Sequence, residues 1–186
     1  QILDDILDYS KIEAGRIDLE SSPVDLRELC DAAMNLLATK AHDKGLLVRL
    51  WISARAGTVV IGDSVRLRQI LINLLGNAIK FTEAGHVSLH AVTLAPEGVR
   101  LTVGDSGPGI NAEQQARLFR RFEQAEGAQT TARYGGSGLG LAICQELAVA
   151  MGGRIDVDSA PGKGTRFSVD LPALRAVPDA QAAPTK

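Results

Sequence analysis

Four polar side chains recur along the segment SVRLRQILINLLGNAIKFT at residues 64–82. At about 100° per residue, Asn73, Asn77, Lys80 and Arg66 fall together on the face opposite an apolar arc. The arc consists of Leu67, Leu71, Leu74, Leu75 and Ala78. A solvated polar face is the simplest explanation, yet Asn suits an exposed helix poorly because its side chain competes for backbone hydrogen bonds. An amide oxygen suits Mg²⁺ and an ammonium suits a phosphate, so this face is a candidate ligand site.

A carboxylate and two glycines follow in VGDSGPGI, residues 103–110. Asp105 ends a predicted strand, where its carboxylate can accept a hydrogen bond from an exocyclic amine such as that of adenine. Gly107 and Gly109 allow the backbone to approach a flat base closely. Taken alone, the segment is equally typical of an ordinary Asp-Ser-Gly turn.

A glycine-rich run, ARYGGSGLGLAIC at residues 132–144, opens a predicted helix and suits a phosphate. The dinucleotide fingerprint requires a strand immediately before the glycines, whereas a polar loop predicted at 123–136 precedes them here, and the P-loop pattern is absent. The run is therefore weak evidence by itself. The run becomes informative through its position among the other motifs, because it follows the amide face and Asp105 and precedes GKGT at residues 162–165.

The elements that must position these residues are predicted from periodicity and from cap and turn signals. Asp25 and Glu28 form a capping box, Asp63 caps the helix that carries the asparagines, and SSP at residues 21–23 indicates a break. Helices are predicted at 1–20, 25–42, 64–82, 111–122 and 138–151, and strands at 46–52, 58–62, 86–94, 99–105, 154–159 and 164–171. Hairpins that alternate with helices predict a mixed sheet with helices on one face, and not a doubly wound parallel sheet.

Composition narrows the class of protein. The chain has 186 residues, 45% of them hydrophobic, and a formal net charge of −2, which argues against bulk attraction to nucleic acid. Cys30 and Cys144 are expected to be buried thiols, and three histidines without a Cys/His cluster argue against zinc. No apolar run reaches the roughly 20 residues that span a bilayer. Because the chain starts inside a helical pattern without an initiator Met, we expect it to be a piece of a longer protein.

The order of these motifs resembles the ATP-binding catalytic domain of sensor histidine kinases, whose Bergerat fold is shared with gyrase, MutL and the Hsp90 chaperones. RLRQILINLLGNAIKFT looks like the asparagine box, LFRRFEQ like the phenylalanine box, and GDSGPGI, GGSGLGLAI and GKGTRF like the first, second and last glycine boxes. The resemblance covers residues 25–172. It implies an α+β two-layer sandwich, in which three helices cover one face of a mixed, mostly antiparallel sheet of about five strands.

The upstream segment ILDDILDYSKIEAGRIDLESSPVDLREL is similar to the end of the second dimerisation helix of these kinases. The implied domains are the C-terminal part of that helix at 1–22, the catalytic ATP-binding domain at 23–172 and a linker or disordered tail at 173–186. The implied partners are its own dimerisation and phosphotransfer domain, a receiver domain or response regulator, and a second copy through residues 1–20. No nucleic acid is expected, a membrane would be reached only through other parts of the protein, and the domain itself would be cytoplasmic.

The resemblance implies ATP and Mg²⁺ as ligands. Asn77 would coordinate Mg²⁺ with Asn73 beside it, Lys80 would contact the phosphates, and Arg133 would reach the γ-phosphate. The remaining phosphate-binding and lid residues would be Gly136, Ser137, Gly138, Leu139 and Gly140. Backbone N–H groups at the start of the following helix would bind phosphate oxygens.

At the other end of the nucleotide, the resemblance assigns Asp105 to the adenine amine. Gly107 and Gly109 would shape the adenine pocket, and Thr165 would line it. Two aromatic residues of the phenylalanine box, Phe119 and Phe122, would anchor the lid to the core.

One position favours a kinase over a hydrolase. Gyrase-like and chaperone relatives carry a water-activating Glu four residues before the metal-binding Asn, where this chain has Asn73, whose amide cannot act as a general base. None of the three histidines matches the family's acceptor motif: His42 lies near a helix end, and His86 and His90 are expected at the surface. The chain is therefore expected to donate a phosphoryl group to a separate dimerisation domain and not to autophosphorylate alone.

Three other functions compete with this interpretation. The main alternative is a degenerate ATP-binding module that regulates through protein contacts without chemistry, and the intact motifs argue against it. A serine kinase of the anti-sigma type has the same fold, but the dimerisation-helix segment argues against it. A mechanical ATPase is disfavoured by Asn73.

Overall fold

The computed structural model describes Ser10 and residues 17–53, 59–94, 98–119 and 138–171. In chain order the elements are β1 (Ser22–Asp25), α1 (Leu26–Asp43), β2 (Leu47–Ser53), β3 (Val59–Gly62), α2 (Ser64–Phe81), β4 (His86–Thr93), β5 (Val99–Asp105), α3 (Ala112–Gln115), α4 (Gly140–Ala150), β6 (Arg154–Ser159) and β7 (Thr165–Leu171). Most predicted bounds hold to within a residue or two, and those of β5 and β6 are confirmed without change.

The main sheet contains five strands in the order β2-β4-β5-β7-β6. β2 runs parallel to β4, and every other neighbouring pair is antiparallel. The predicted β4–β5 and β6–β7 hairpins are both present. The mixed, mostly antiparallel sheet implied by the sequence is therefore confirmed.

Three helices, α1, α2 and α4, cover one face of this sheet. Alternate residues of β4, Val87, Leu89 and Ala91, are buried beneath them, because successive strand residues point to opposite faces. The predicted apolar arc of α2 is buried in full. On the opposite face of β4, His90 is exposed and His86 is half-buried.

The helix starts follow the predicted caps. The Asp25 carboxylate accepts hydrogen bonds from the N–H groups of Arg27 and Glu28, and the Asp63 carboxylate accepts one from Arg66 N–H. Both caps satisfy amides that a helix start leaves without an internal partner. These caps fix where the two longest helices begin.

The predicted helix at 1–20 is wrong over 17–20, because residues 17–21 are not helical. No helix crosses SSP at 21–23, but Ser22–Asp25 forms a strand that was not predicted, β1, which pairs antiparallel with β3 in a separate two-stranded sheet. Pro23 stands opposite Ile61, a position that a proline tolerates at a sheet edge. The predicted strand at 58–62 therefore belongs to this small sheet and not to the main one.

The predicted helix at 111–122 is shorter than expected within the described residues. It starts at the Asn111 cap, but after Gln115 the bonds tighten, with Arg117 N–H donating to Gln114 O and Leu118 N–H to Gln115 O. This three-residue spacing is that of a 3₁₀ turn, which rarely continues far. The turn brings Phe119 against Phe167 edge-on, with ring centroids 6.3 Å apart.

Both cysteines are buried free thiols, as predicted. Burial raises the pKa of each thiol, Cys30 and Cys144, to about 12. Neither thiol is therefore expected to react as a nucleophile. Within the described ranges, no helix is long and apolar enough to cross a membrane.

Candidate functional site

The predicted adenine-side residues meet at one end of the main sheet. Asp105 is the last residue of β5, and Thr165, the first of β7, stands directly opposite it. The start of the following loop lies close to the end of α2, because a Cβ on Gly107 would lie 3.3 Å from the Phe81 carbonyl oxygen. The strand pair and the helix end therefore converge on the same corner of the fold.

The described hydrogen bonds to the Asp105 carboxylate go to one of its two oxygens. Its Oδ1 accepts hydrogen bonds from Gly107 N–H at 2.8 Å and from Thr165 N–H at 3.3 Å. Burial raises the pKa of this carboxyl, and the two backbone amides and the nearby His86 oppose that rise. Both described bonds use Oδ1, which leaves Oδ2 with the capacity to accept from a ligand amine.

Two glycines of this corner cannot be replaced without moving backbone. Gly109 has a φ of 70°, and a Cβ there would collide with the Ala160 carbonyl. Gly164 has a φ of 74°, and a Cβ there would collide with the Asp105 carbonyl. The sequence analysis predicted that Gly109 lets the backbone approach a base closely. In the structure, the Cβ position of Gly109 faces the β6–β7 turn.

The predicted phosphate-side residues lie on α2. Asn73, Asn77 and Lys80 are all half-buried, so this face is not the open solvated surface that the simplest explanation required. Burial lowers the pKa of Lys80, whose ammonium lies 4.9 Å from the centroid of the Phe81 ring.

The start of α4 lies beside this face. A Cβ on Gly140 would lie 3.5 Å from Asn73 Oδ1, so the first residue of α4 sits over that amide. Leu139 caps the helix without a side-chain hydrogen bond. Gly138, with a φ of 69°, turns the chain into the cap. The structure therefore brings Gly138, Leu139 and Gly140 to the asparagine face, and the first-turn amides of α4 are the predicted phosphate donors there.

Comparison with known proteins agrees with this geometry. The family model described as histidine kinase-, DNA gyrase B- and HSP90-like ATPase matches residues 62–175. This chain belongs to that family. The match contains α2, the Asp105 corner and α4, so the candidate site lies within the family's own domain.

The similar full-length proteins are sensor kinases. The chain is 45% identical over 170 residues to the signal transduction histidine-protein kinase BarA of Escherichia coli (strain K12), a match covering 89% of this chain and 18% of that protein. It is 41% identical over 180 residues to the sensor protein GacS of Pseudomonas syringae pv. syringae, covering 94% of this chain and 20% of that protein. The chain thus spans about a fifth of the length of these relatives.

A solved structure gives the same result for the fold. Full-length ShkA in complex with AMPPNP superimposes with a TM-score of 0.85 at 37% identity, covering 95% of this chain and 36% of that one. The histidine kinase-type ATPase fold is therefore shown for this domain.

Magnesium fits the residues at the asparagine face of this ATPase domain. Within the described ranges there is no group of three or more His, Cys, Asp and Glu residues that could hold a metal by itself. Asn77 instead offers an amide oxygen, which is a hard donor. Asn73 lies beside it on the same face, and its side chain hydrogen-bonds the Cys144 thiol. Mg²⁺ typically keeps several waters and shares its remaining positions between one or two protein oxygens and substrate phosphates. The Asn77 amide matches that requirement.

Some predicted site residues lie outside the described residues, namely Arg133, Gly136, Ser137 and Phe122. Other residues were missed by the sequence analysis. Lys44 donates from Nζ to the carbonyls of Ile79, Lys80 and Thr82 at 2.8, 2.8 and 3.0 Å, and so closes the end of α2. No periodic signal marks this lysine, because its partners lie 35 or more residues away along the chain.

Proposed function

We propose that this domain binds Mg-ATP and donates the γ-phosphoryl group to a histidine on a dimerisation domain of a two-component sensor kinase. The observation that carries the proposal is the convergence of Asp105 Oδ2 at the base end with the amide face of α2 and the start of α4. The similarity to ShkA, whose structure contains AMPPNP, supports an adenine nucleotide as the ligand.

Each residue has a distinct task in this proposal. Asp105 accepts the hydrogen bond of the adenine amine, and Thr165 lines the adenine end beside it. Asn77 would hold Mg²⁺, with Asn73 beside it, and the bound ion would neutralise charge on the phosphates. Lys80 adds a positive charge, and the amides of Leu139 and Gly140 orient the phosphate oxygens.

Asn73 is what makes transfer more plausible than hydrolysis. An amide cannot take a proton from water, so the domain provides no general base there. Phosphoryl transfer needs mainly positioning and charge stabilisation. The acceptor imidazole nitrogen forms the bond to phosphorus while the bond to the β–γ bridging oxygen breaks and ADP leaves.

The proposed domain organisation follows the family resemblance of the sequence. We assign residues 1–22 to the end of the dimerisation segment, whose described residues 17–21 are not helical, 23–172 to the catalytic domain and 173–186 to a linker. A receiver domain or response regulator is the proposed recipient of the phosphoryl group. ThkA was solved in complex with the response regulator protein TrrA, and that structure covers 97% of this chain at 27% identity. The donor ATP places the proposed domain in the cytoplasm.

Calorimetric titration of the chain with ATP, with and without Mg²⁺, tests the binding half of the proposal. We expect binding that Mg²⁺ strengthens, followed by phosphoryl transfer from labelled ATP to an added dimerisation domain. Binding without transfer would favour a regulatory ATP-binding module, rapid release of phosphate would favour a mechanical ATPase, and no binding at millimolar ATP would overturn the site.

A further inference from the structure

Two loops meet at the adenine end, and their junction centres on Ser159. The glycine loop is defined here as residues 105–110, and the hairpin turn as residues 159–165. Ser159 Oγ donates to Gly164 O at 2.7 Å, accepts from Ile110 N–H at 3.0 Å and lies 3.1 Å from Thr165 Oγ1. A hydroxyl has one hydrogen and two lone pairs, so these three contacts use its whole capacity.

Gln115 reaches the same junction from α3. Its Nε2 donates to Ile110 O at 3.0 Å and to Ser159 O at 2.8 Å. The two hydrogens of the amide are thereby used on two different loops. Ile110 is consequently held at both its N–H and its carbonyl.

The backbone contacts around this junction are close. Gly162 N–H donates to Pro108 O at 2.6 Å, and the glycines at 109 and 164 leave space for one loop against the other. Thr165, which ends the hairpin turn, donates its N–H to Asp105. A shift between the two loops therefore moves Thr165 relative to the Asp105 carboxylate.

We propose that Ser159 and Gln115 are positioning residues that fix the adenine end of the nucleotide site and so set its selectivity for the base. The inference rests on the proposed function. Neither side chain needs to touch the nucleotide, since both act through the backbone of the two loops. Their contacts lie at the Asp105 corner and not on the amide face of α2, so the expected loss concerns recognition of the base and is the same for ATP and ADP.

Gln115→Glu tests this with a nearly isosteric change. The carboxylate has no hydrogen to donate and would face two carbonyls, so we expect ATP and ADP affinity to fall by a similar factor of about ten. We also expect the ratio of ATP to GTP affinity to fall. Gln114→Glu is the matched control, because Gln114 Oε1 accepts from Asn111 N–H and a carboxylate can still do so. The control should stay within about twofold of the unmodified chain.

Ser159 offers a second, independent pair. Ser159→Thr keeps the hydroxyl, and Ser159→Val introduces a side chain of the same shape as threonine but without the hydroxyl. We expect the threonine variant to retain ATP affinity and base selectivity, and the valine variant to lose about tenfold in affinity together with selectivity. Unfolding midpoints establish that each variant is folded before titration, and the Gln115 pair carries the test if the valine variant does not fold.

The outcomes separate this inference from the proposed function. If the unmodified chain binds no adenine nucleotide, the proposed function is wrong and the positioning role goes with it. If it binds ATP while Gln115→Glu leaves affinity and the ATP-to-GTP ratio unchanged, only the positioning role is wrong. If ATP and GTP affinity fall by the same factor, so that their ratio is preserved, the proposed role in base selectivity is also wrong and the junction is purely structural.

Discussion

Two carboxylates lie at opposite ends of the β5–β7 strand pair, in opposite surroundings. Asp105 faces Thr165 at one end, and Asp170 faces Arg100 at the other. Asp105 accepts two backbone hydrogen bonds through one oxygen, and burial raises its pKa. Asp170 accepts from Arg100 through both oxygens, and Arg154 donates to one of them, which lowers its pKa.

The difference separates a structural carboxylate from one built for a ligand. Asp170 accepts three charge-assisted hydrogen bonds from two arginines, so both of its oxygens are used inside the protein. Asp105 is half-buried without a matching cation at hydrogen-bond distance among the described contacts. A ligand donor at Oδ2 would relieve the cost of that burial, which is why Asp105 is the better candidate for recognition.

The comparison predicts that Asp105→Asn has the largest effect on binding. The asparagine oxygen can keep the two backbone bonds, but its NH₂ group would face the adenine amine. We expect ATP affinity to fall about thirtyfold, equivalent to about 2 kcal/mol, without a fall in unfolding free energy. Calorimetry and denaturant unfolding measure the two quantities. Asp158→Asn, an exposed carboxylate at the same end of β6, is the control, and equal ATP affinity in both variants would contradict the assignment.

At the phosphate end, Asn77→Ala removes the amide proposed to hold Mg²⁺. We expect about a tenfold loss of ATP affinity in the presence of Mg²⁺ and a much smaller loss without it. Titrations in Mg²⁺ and in chelator give the two values. The exposed amide of Asn35 on α1 provides the control substitution, Asn35→Ala. An equal loss in both conditions would mean that Asn77 acts on the nucleotide and not through the metal.

Local sequence patterns predict many of the helices and strands of this fold. The 3.6-residue spacing of apolar residues predicted α2 and its buried arc, and an aspartate before that pattern predicted the cap at Asp63. Alternation predicted β5 to the residue, and the hairpin pattern around APGK predicted β6. β1 was missed because four residues that contain Pro23 have no alternating pattern long enough to detect. Its existence depends on pairing with β3, nearly 40 residues away.

The candidate site divides in the same way. Asp105 and the asparagine face were found because a strand end and a helix face are local features. Ser159, Gln115 and Lys44 were not found, because each acts on backbone groups that only the tertiary fold brings near. A serine in DSAPGK carries no sign that its hydroxyl will join two loops.

At the structural end of the strand pair, Asp170→Asn is expected to lower the unfolding free energy by about 1 kcal/mol near neutral pH, because two arginines lose their anionic acceptor. ATP affinity should not change, since the substitution lies far along the strands from Asp105. Asp156→Asn is the matched control: its bond to Arg154 is exposed on both sides, and exposed pairs contribute little. An affinity loss in Asp170→Asn would contradict the division of roles between the two carboxylates.

Acidification should reveal the opposite signs of the two pKa shifts. The raised pKa of Asp105 means that the folded chain takes up its proton at a higher pH than an ordinary aspartate, so ATP affinity falls first as pH is lowered. The same shift gives no acid destabilisation, because the folded state binds that proton more readily than the unfolded state. The lowered pKa of Asp170 acts the other way: its stabilisation is complete above the ordinary aspartate value and is lost as pH falls through the lower folded value. As pH is lowered, we therefore expect the unmodified chain and Asp105→Asn to reach the same ATP affinity first. The unmodified chain and Asp170→Asn should reach the same unfolding free energy only at a lower pH. The reverse order would show that the environments of the two carboxylates have been assigned wrongly.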